Sequence, residues 1–190
     1  MGLFSTERIK MRSNGSIRAA GYTILGILAV VFSSSPVLAG DLLHYYFPPE
    51  QNLNKTITKQ VCIYGGTSSG VVAALELKRL GISSVIVHPG IRLGGLSAGG
   101  LGWTDFGNKE AVQGIAREFY KRLGAKYGTA ENWAFEPSVA LAVFQDMVQE
   151  AGVEVYYKAF LNRGSGVVMS SGRIVRITTE NGLTVNADYF

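Results

Sequence analysis

The pattern of apolar and polar residues predicts strands and helices in alternation from residue 60 onward. A short apolar run at 60–64 predicts a first strand, and the small-residue segment at 69–80 predicts a first helix that ends at Gly81. The continuous apolar run at 84–88 is typical of a strand buried in a parallel sheet. These segments predict a βαβ unit with a right-handed crossover. The predicted apolar side of the helix consists of Val72, Ala73, Leu75, Leu77 and Leu80.

The rest of the chain predicts two further helices followed by strands. The helices are expected at 109–123 and at 137–151, where Pro137 suits a first helical turn and Gly152 suits the end. A strand is expected at 153–160. Ser-Gly and Asn-Gly turns then separate three short strands of an antiparallel meander, which are predicted at 167–169, 173–179 and 183–189.

The predicted fold class is therefore α/β, with a Rossmann-like βαβ unit, a parallel sheet and an antiparallel β-meander. The sequence stops at Phe190, inside the last predicted strand. A strand without a following cap or turn is an unusual place for a domain to finish. We therefore expect an incomplete fold and a truncated chain.

Residues 1–39 are typical of a signal peptide. Four basic residues precede an uncharged run at 19–32, a Ser-Pro pair interrupts the pattern, and 37–39 offers small residues for cleavage. The uncharged run of 14 residues is shorter than the ~20 that span a bilayer as a helix. We expect an exported, periplasmic or extracellular protein that meets the membrane only through this signal; an uncleaved anchor is the alternative. Residues 40–59 are expected to form a lead-in segment.

Composition and charge exclude several classes of protein. Apolar residues make up 47% of the 190 residues and charged residues 17%, which argues against disorder. The leader holds four basic residues and one acidic residue, so it accounts for most of the net charge of +4, and no nucleic-acid partner is indicated. Cys62 is the only cysteine and is expected to be a small buried residue. His44 and His88 are too few and too far apart to predict a metal site.

The turn between the first predicted strand and helix carries the clearest chemical signal. Its glycines permit a tight turn, and the first amides of the helix would point at a phosphate with the positive end of the helix dipole behind them. Thr67 occupies the place of the second glycine in the G-x-G-x-x-G fingerprint. An ordinary glycine turn in an α/β domain is the alternative. The candidate phosphate-binding residues are Gly65, Gly66, Thr67, Ser68, Ser69 and Gly70.

Three segments, at 64–70, 88–90 and 92–105, resemble the FAD-dependent oxidoreductases of the glutathione-reductase-like superfamily. The chain is most similar to an exported bacterial branch that is sometimes labelled xanthan lyase, and the resemblance extends over 60–190. The Gly-Gly-x-Ser pattern at 94–97 is more specific than the first turn alone. No residue pattern in the chain supports a lyase activity.

The resemblance implies that FAD is the cofactor and gives roles to the residues around the glycines. In such proteins the first turn holds the pyrophosphate, and the residue that ends the second strand contacts the adenosine ribose. Here that residue is His88, a departure from the usual acid, and a surface residue that merely ends the strand is the alternative. The loop that runs along the dinucleotide toward the flavin corresponds to Arg92, Gly94, Gly95 and Ser97.

Several residues of this region have two interpretations. Arg92 either offsets pyrophosphate charge or is a solvated surface residue. Ser97 and Thr104 either bind the cofactor or stabilise the loop. Trp103 is expected to fill the core, with stacking near the flavin as the alternative. The family resemblance also implies a backbone contact with adenine near 158–160.

The leading functional prediction is the FAD-binding part of an exported flavin-dependent oxidoreductase that acts on a small-molecule or carbohydrate-related substrate. No paired carboxylates or serine–histidine arrangement stand out, so no catalytic residue is assigned, and the flavin would carry the redox chemistry. The alternatives are a truncated, non-catalytic secreted nucleotide-binding remnant and an NAD-dependent enzyme that acts on polysaccharide.

Overall fold

The computed structural model describes residues 52–190, so the predicted signal peptide and most of the lead-in segment lie outside the described residues. The strands are β1 (Lys55–Tyr64), β2 (Ser84–Val87), β3 (Glu154–Tyr156), β4 (Val167–Ser170), β5 (Arg173–Thr178) and β6 (Leu183–Tyr189). The helices are α1 (Ser68–Arg79), α2 (Gly95–Gly99), α3 (Gly114–Lys126) and α4 (Pro137–Ala151), with a short 3-10 helix at Lys109–Ala111.

The six strands form one mixed sheet in the order β3-β2-β1-β6-β5-β4. β1 pairs in parallel with β2 on one side and with β6 on the other, and β3 pairs in parallel with β2. β4, β5 and β6 pair antiparallel in sequence order. The predicted α/β fold, with a parallel βαβ core and an antiparallel meander, is confirmed.

Two apolar clusters lie on opposite faces of the sheet, because successive strand residues point to opposite faces. The helix-covered face buries Ile86 of β2 among side chains of α1, α3 and α4, including Phe119 and Phe144, whose rings stack at 4.3 Å. The other face buries Val85 and Cys62 with apolar residues of β5 and β6. Burial raises the pKa of the Cys62 thiol to about 12, as expected for a small residue of the core.

The buried side of helix α1 overlaps only in part with the predicted one: Leu75 is buried and Val72 packs against the core, but Ala73 is exposed. Its buried residues are Gly70, Val71, Ala74 and Leu75, whereas Leu80 is 65% exposed. The small residues Gly70 and Ala74 allow this helix to pack closely against the sheet, with Val71 and Leu75 buried beside them. Gly81, at φ +74°, ends the helix as predicted.

Two strands differ in length from their predictions. β1 begins at Lys55, not at residue 60, because its first half pairs with β6 from Lys55 opposite Leu183 onward. β3 covers only Glu154–Tyr156 of the predicted 153–160, and Lys158 then adopts a left-handed conformation with φ +51° that no strand can continue.

The helix predicted at 109–123 is divided in two. Asn108 caps the 3-10 helix by accepting a hydrogen bond from the Glu110 amide at 3.0 Å. Val112 and Gln113 then adopt extended conformations, and α3 begins at Gly114, which has φ +62°. The segment 89–108, in which no element was predicted, contains α2.

No helix among residues 52–190 is both long and apolar enough to cross a bilayer. Within the same residues, no group of three or more His, Cys, Asp or Glu side chains is placed to hold a metal ion.

Candidate FAD-binding site

The turn between β1 and α1 is shaped by the side chain that caps the helix. Thr67 is the N-cap, and its Oγ1 accepts a hydrogen bond from the Gly70 amide at 3.1 Å. The first intrahelical bond runs from the Val71 amide to the Thr67 carbonyl at 2.9 Å. The amides of Ser68 and Ser69 come before that bond and have no intrahelical acceptor, so they are the groups at this helix end that can meet an anion.

Gly70 is where helix and strand approach most closely. A Cβ at this position would lie 2.1 Å from the Gly65 carbonyl oxygen and 3.2 Å from Cγ2 of Ile63. Gly65 itself has φ +125°, a conformation that side chains rarely adopt. The two outer glycines of the fingerprint are therefore required by the geometry of the turn.

The second glycine segment, residues 94–97, lies directly against the first turn. The Gly94 amide donates to the Gly66 carbonyl at 2.8 Å, and Ser68 Oγ donates to the Gly94 carbonyl at 2.7 Å. Ser68 Oγ is also 3.4 Å from Ser97 Oγ. A Cβ at Gly95 would be 3.5 Å from the Ser68 nitrogen. The two glycine segments, which the family resemblance assigned to one cofactor, are therefore in direct contact.

The imidazole of His88 lies between the two loops and is bonded to both. Its Nδ1 accepts a hydrogen bond from the Gly66 amide at 3.0 Å, and its Nε2 lies 2.8 Å from the Arg92 carbonyl oxygen. Burial lowers the pKa of the ring below its ordinary value, although the Arg92 carbonyl opposes that shift. Both ring nitrogens are thus bound within the protein, so neither is left for a ribose hydroxyl, and the Gly66 amide is likewise not free for a pyrophosphate.

The remaining predicted residues are distributed around this centre. The Arg92 side chain is exposed and has no hydrogen-bond or ion-pair partner within residues 52–190. Its backbone carbonyl accepts the hydrogen bond from His88. Thr104 donates to the Tyr120 hydroxyl at 3.3 Å, and its amide bonds the Trp133 carbonyl, so it stabilises the loop. Trp103 is 75% exposed, so its predicted place in the core is wrong. An isolated antiparallel β-bridge with Ala134 holds the Trp103 backbone at the surface.

The segment that the family resemblance linked to adenine lies beside His88. The Lys158 amide donates to the Gly90 carbonyl and the Ala159 amide to the His88 carbonyl, both at 3.0 Å. The Tyr157 ring meets the imidazole edge-on at 6.2 Å.

Tyr64, which the sequence interpretation did not single out, accepts a hydrogen bond from the Leu161 amide at 2.9 Å. Its position at the carboxyl end of β1, directly before the glycines, is the signal that could have found it.

A family model described as FAD dependent oxidoreductase matches residues 60–190 of the chain. None of the curated proteins matches it.

Similar solved structures include an L-amino acid deaminase from Proteus vulgaris, at 15% identity over 76% of this chain and 47% of that one, with a TM-score of 0.48. A flavin-containing monooxygenase from Stenotrophomonas maltophilia is 20% identical over 69% of this chain and 36% of that one, with a TM-score of 0.46. Bacillithiol disulfide reductase from Staphylococcus aureus is 19% identical over the same two shares, with a TM-score of 0.47. The chain thus spans less than half the length of these proteins. By the family model, the chain belongs to the FAD-dependent oxidoreductase family.

Proposed function

We propose that this chain binds the dinucleotide FAD and forms the cofactor-binding part of an exported flavin-dependent oxidoreductase. Its substrate would be a small organic molecule or a carbohydrate-related compound. The observation that carries the proposal is the direct bond from the Gly94 amide to the Gly66 carbonyl. It places the second glycine segment beside the amides of Ser68 and Ser69, which have no intrahelical acceptor, so one long dinucleotide could contact both segments.

The residues at the start of α1 fit a pyrophosphate. α1 has 12 residues, so its dipole is fully developed at Ser68 and Ser69. That dipole stabilises an exposed anion by about 0.3–1 kcal/mol, so several amides must act together with the rest of the nucleotide. Arg92 is the exposed cation on the second loop and is the candidate for a charge-assisted bond to a phosphate oxygen.

The second glycine segment fits the approach of a planar ring. Gly95 has no side chain to separate the ligand from the Ser68 amide. Beyond it the loop exposes Leu96, Leu101 and Trp103, which are 71%, 63% and 75% accessible and give this end of the region an apolar character. FAD, when bound, supplies the two-electron redox chemistry. The side chains and amides of this chain hold and orient it.

Identification of the bound molecule tests the cofactor. The purified protein is incubated separately with FAD, FMN and NAD, freed of excess ligand and analysed by visible absorption and mass spectrometry of the extract. We expect retention of FAD in equimolar amount. Retention of NAD alone would favour the NAD-dependent alternative, and retention of none of the three would favour a non-binding remnant.

Export and substrate class need separate measurements. The export proposal is supported by the leader pattern at 1–39. The complete sequence is expressed in a bacterium, and the mass of the protein is measured in the fractions outside the cytoplasm. We expect the mass of a chain cleaved after Ala39. A protein that stays in the cytoplasm and keeps residue 1 would refute the export proposal. Anaerobic bleaching of the flavin by sugars or by small organic acids would identify the substrate class.

A further inference from the structure

The imidazole of His88 is held at both nitrogens by backbone groups from two different loops. The Gly66 amide can only donate, so Nδ1 must be an acceptor; the Arg92 carbonyl can only accept, so Nε2 must carry the proton. One form of the ring satisfies both bonds, namely the neutral tautomer with hydrogen on Nε2. The geometry therefore assigns the protonation state of this residue.

Two glycines make the room that the ring occupies. A Cβ at Gly66 would lie 3.0 Å from Cγ of His88, and a Cβ at Gly90 would lie 2.8 Å from its Nε2. Any side chain at either position would displace the imidazole or be displaced by it. The ring is thus built into the turn instead of extending from the strand end toward solvent.

We propose that His88 is a positioning residue that ties the two glycine segments into one FAD cradle through its neutral imidazole, and that FAD binding requires the unprotonated ring. This inference rests on the proposed function. It gives His88 a role different from the ribose contact that the family resemblance implied, since neither nitrogen is available for a hydroxyl.

Protonation would break the bond between the loops. An imidazolium carries hydrogen on both nitrogens, so it would present a donor at Nδ1 to the donor of Gly66. Among residues 52–190, the groups packed around the ring offer no compensating negative charge. The turn after β1 contributes only backbone and small polar residues, the 88–92 loop contributes the exposed Arg92, and the segment after β3 contributes Tyr157 and Lys158. Burial lowers the pKa of His88 and raises that of Tyr157, so both rings are neutral near pH 7.

The decisive experiment measures FAD affinity against pH by quenching of flavin fluorescence. If only the neutral ring is competent, the affinity of the wild-type chain falls about tenfold for each pH unit below the pKa of the ring. His88→Asn places a carboxamide oxygen near the position of Nδ1, so it should bind FAD at all pH values without that dependence. His44→Gln removes the only other histidine of the chain and should keep the wild-type profile. Affinity that does not depend on pH in the wild type would overturn the proposal.

A second measurement decides the matter without FAD. In His44→Gln, His88 is the only histidine, so nitrogen-15 shifts of its ring report one tautomer and one pKa. We expect hydrogen on Nε2 and a pKa below the ordinary value. Hydrogen on Nδ1, or an ordinary exposed ring, would refute the positioning role even if FAD binds. If the ring is neutral with hydrogen on Nε2 but the protein binds no FAD, the proposed cofactor and the proposed dependence of FAD binding on His88 are both refuted. The contact that His88 makes between the two loops would still stand.

Discussion

Replacement of Gly70 by alanine tests the close approach on which the first turn depends. The new Cβ would lie 2.1 Å from the Gly65 carbonyl oxygen, whereas ordinary contacts begin at 3.4 Å. The obstructing atom belongs to the backbone and cannot rotate away. Either α1 must move away from β1 or the turn at Gly65 must change its conformation, and both displace the amides of Ser68 and Ser69.

Two opposing contributions set the size of the effect. Overpacking of this kind costs about 1–3 kcal/mol of unfolding free energy. Alanine in a helix recovers at most about 1 kcal/mol relative to glycine. The expected net loss for Gly70→Ala is therefore about 0–2 kcal/mol, toward the upper end because the obstructing atom belongs to the backbone. The loss should be larger for Gly70→Val because of its two additional methyl groups.

Urea unfolding followed by tryptophan fluorescence measures this loss, with an unchanged m-value as the sign that the unfolded state is the same. Gly99→Ala is the matched control. Gly99 is also helical, but nothing lies within 4 Å of its Cβ position, so its substitution should be neutral or slightly stabilising. FAD affinity should also fall in Gly70→Ala, whereas Gly99→Ala serves as the control for stability alone. A Gly70→Ala protein with wild-type stability and wild-type FAD affinity would refute the assignment of this turn.

Three further predictions concern single groups. Thr67→Ala removes the acceptor of the Gly70 amide and should cost about 1 kcal/mol in urea unfolding, while Thr67→Ser should retain most of the stability; equal losses would contradict the capping role. Cys62 is fully buried with a pKa raised to about 12, so a thiol reagent at neutral pH should label it only in denaturant, and rapid labelling of native protein would contradict its burial. The lowered pKa of His88 means that the unfolded chain binds the proton more tightly, so stability should fall as the pH drops from about 6.5 through the folded-state pKa. His88→Asn should flatten that part of a pH series of urea unfolding curves, and an unchanged slope would count against it.

The sequence was sufficient to predict the order of elements wherever apolar periodicity and turn residues agree. The meander was predicted closely because Asn-Gly and Ser-Gly turns fix its ends, and Gly182 and Gly172 both have the positive φ that such turns need. The N-terminal half of β1 was not predicted because its residues are largely polar. Its strand partner, β6, is more than 100 residues away in the sequence. Pairing between distant segments leaves no local signal.

The family resemblance assigned the two glycine segments to one cofactor, but the contacts between them could not be predicted from the sequence. The glycine pattern at 65–70 and at 94–95 indicated two segments that approach each other, and the bond between Gly94 and Gly66 shows the approach. The role of His88 could not be read from the sequence, since it depends on a carbonyl four residues later and an amide 22 residues earlier meeting the same ring. The prediction that Trp103 lies in the core was wrong because large apolar residues are buried only on average. The average does not determine the exposure of a single side chain in a loop.

The pairing of β1 with β6 has a consequence for how the chain reaches its native state. Lys55 to Lys59 find their strand partner only in residues 183–187, so the centre of the sheet cannot form during synthesis until those residues have been made. Contacts that distant slow folding, since a long loop must be closed before they contribute. Until then the nascent chain presents an unpaired strand edge, the feature that promotes association between chains. A holding chaperone that covers this edge should therefore raise the soluble yield of the protein.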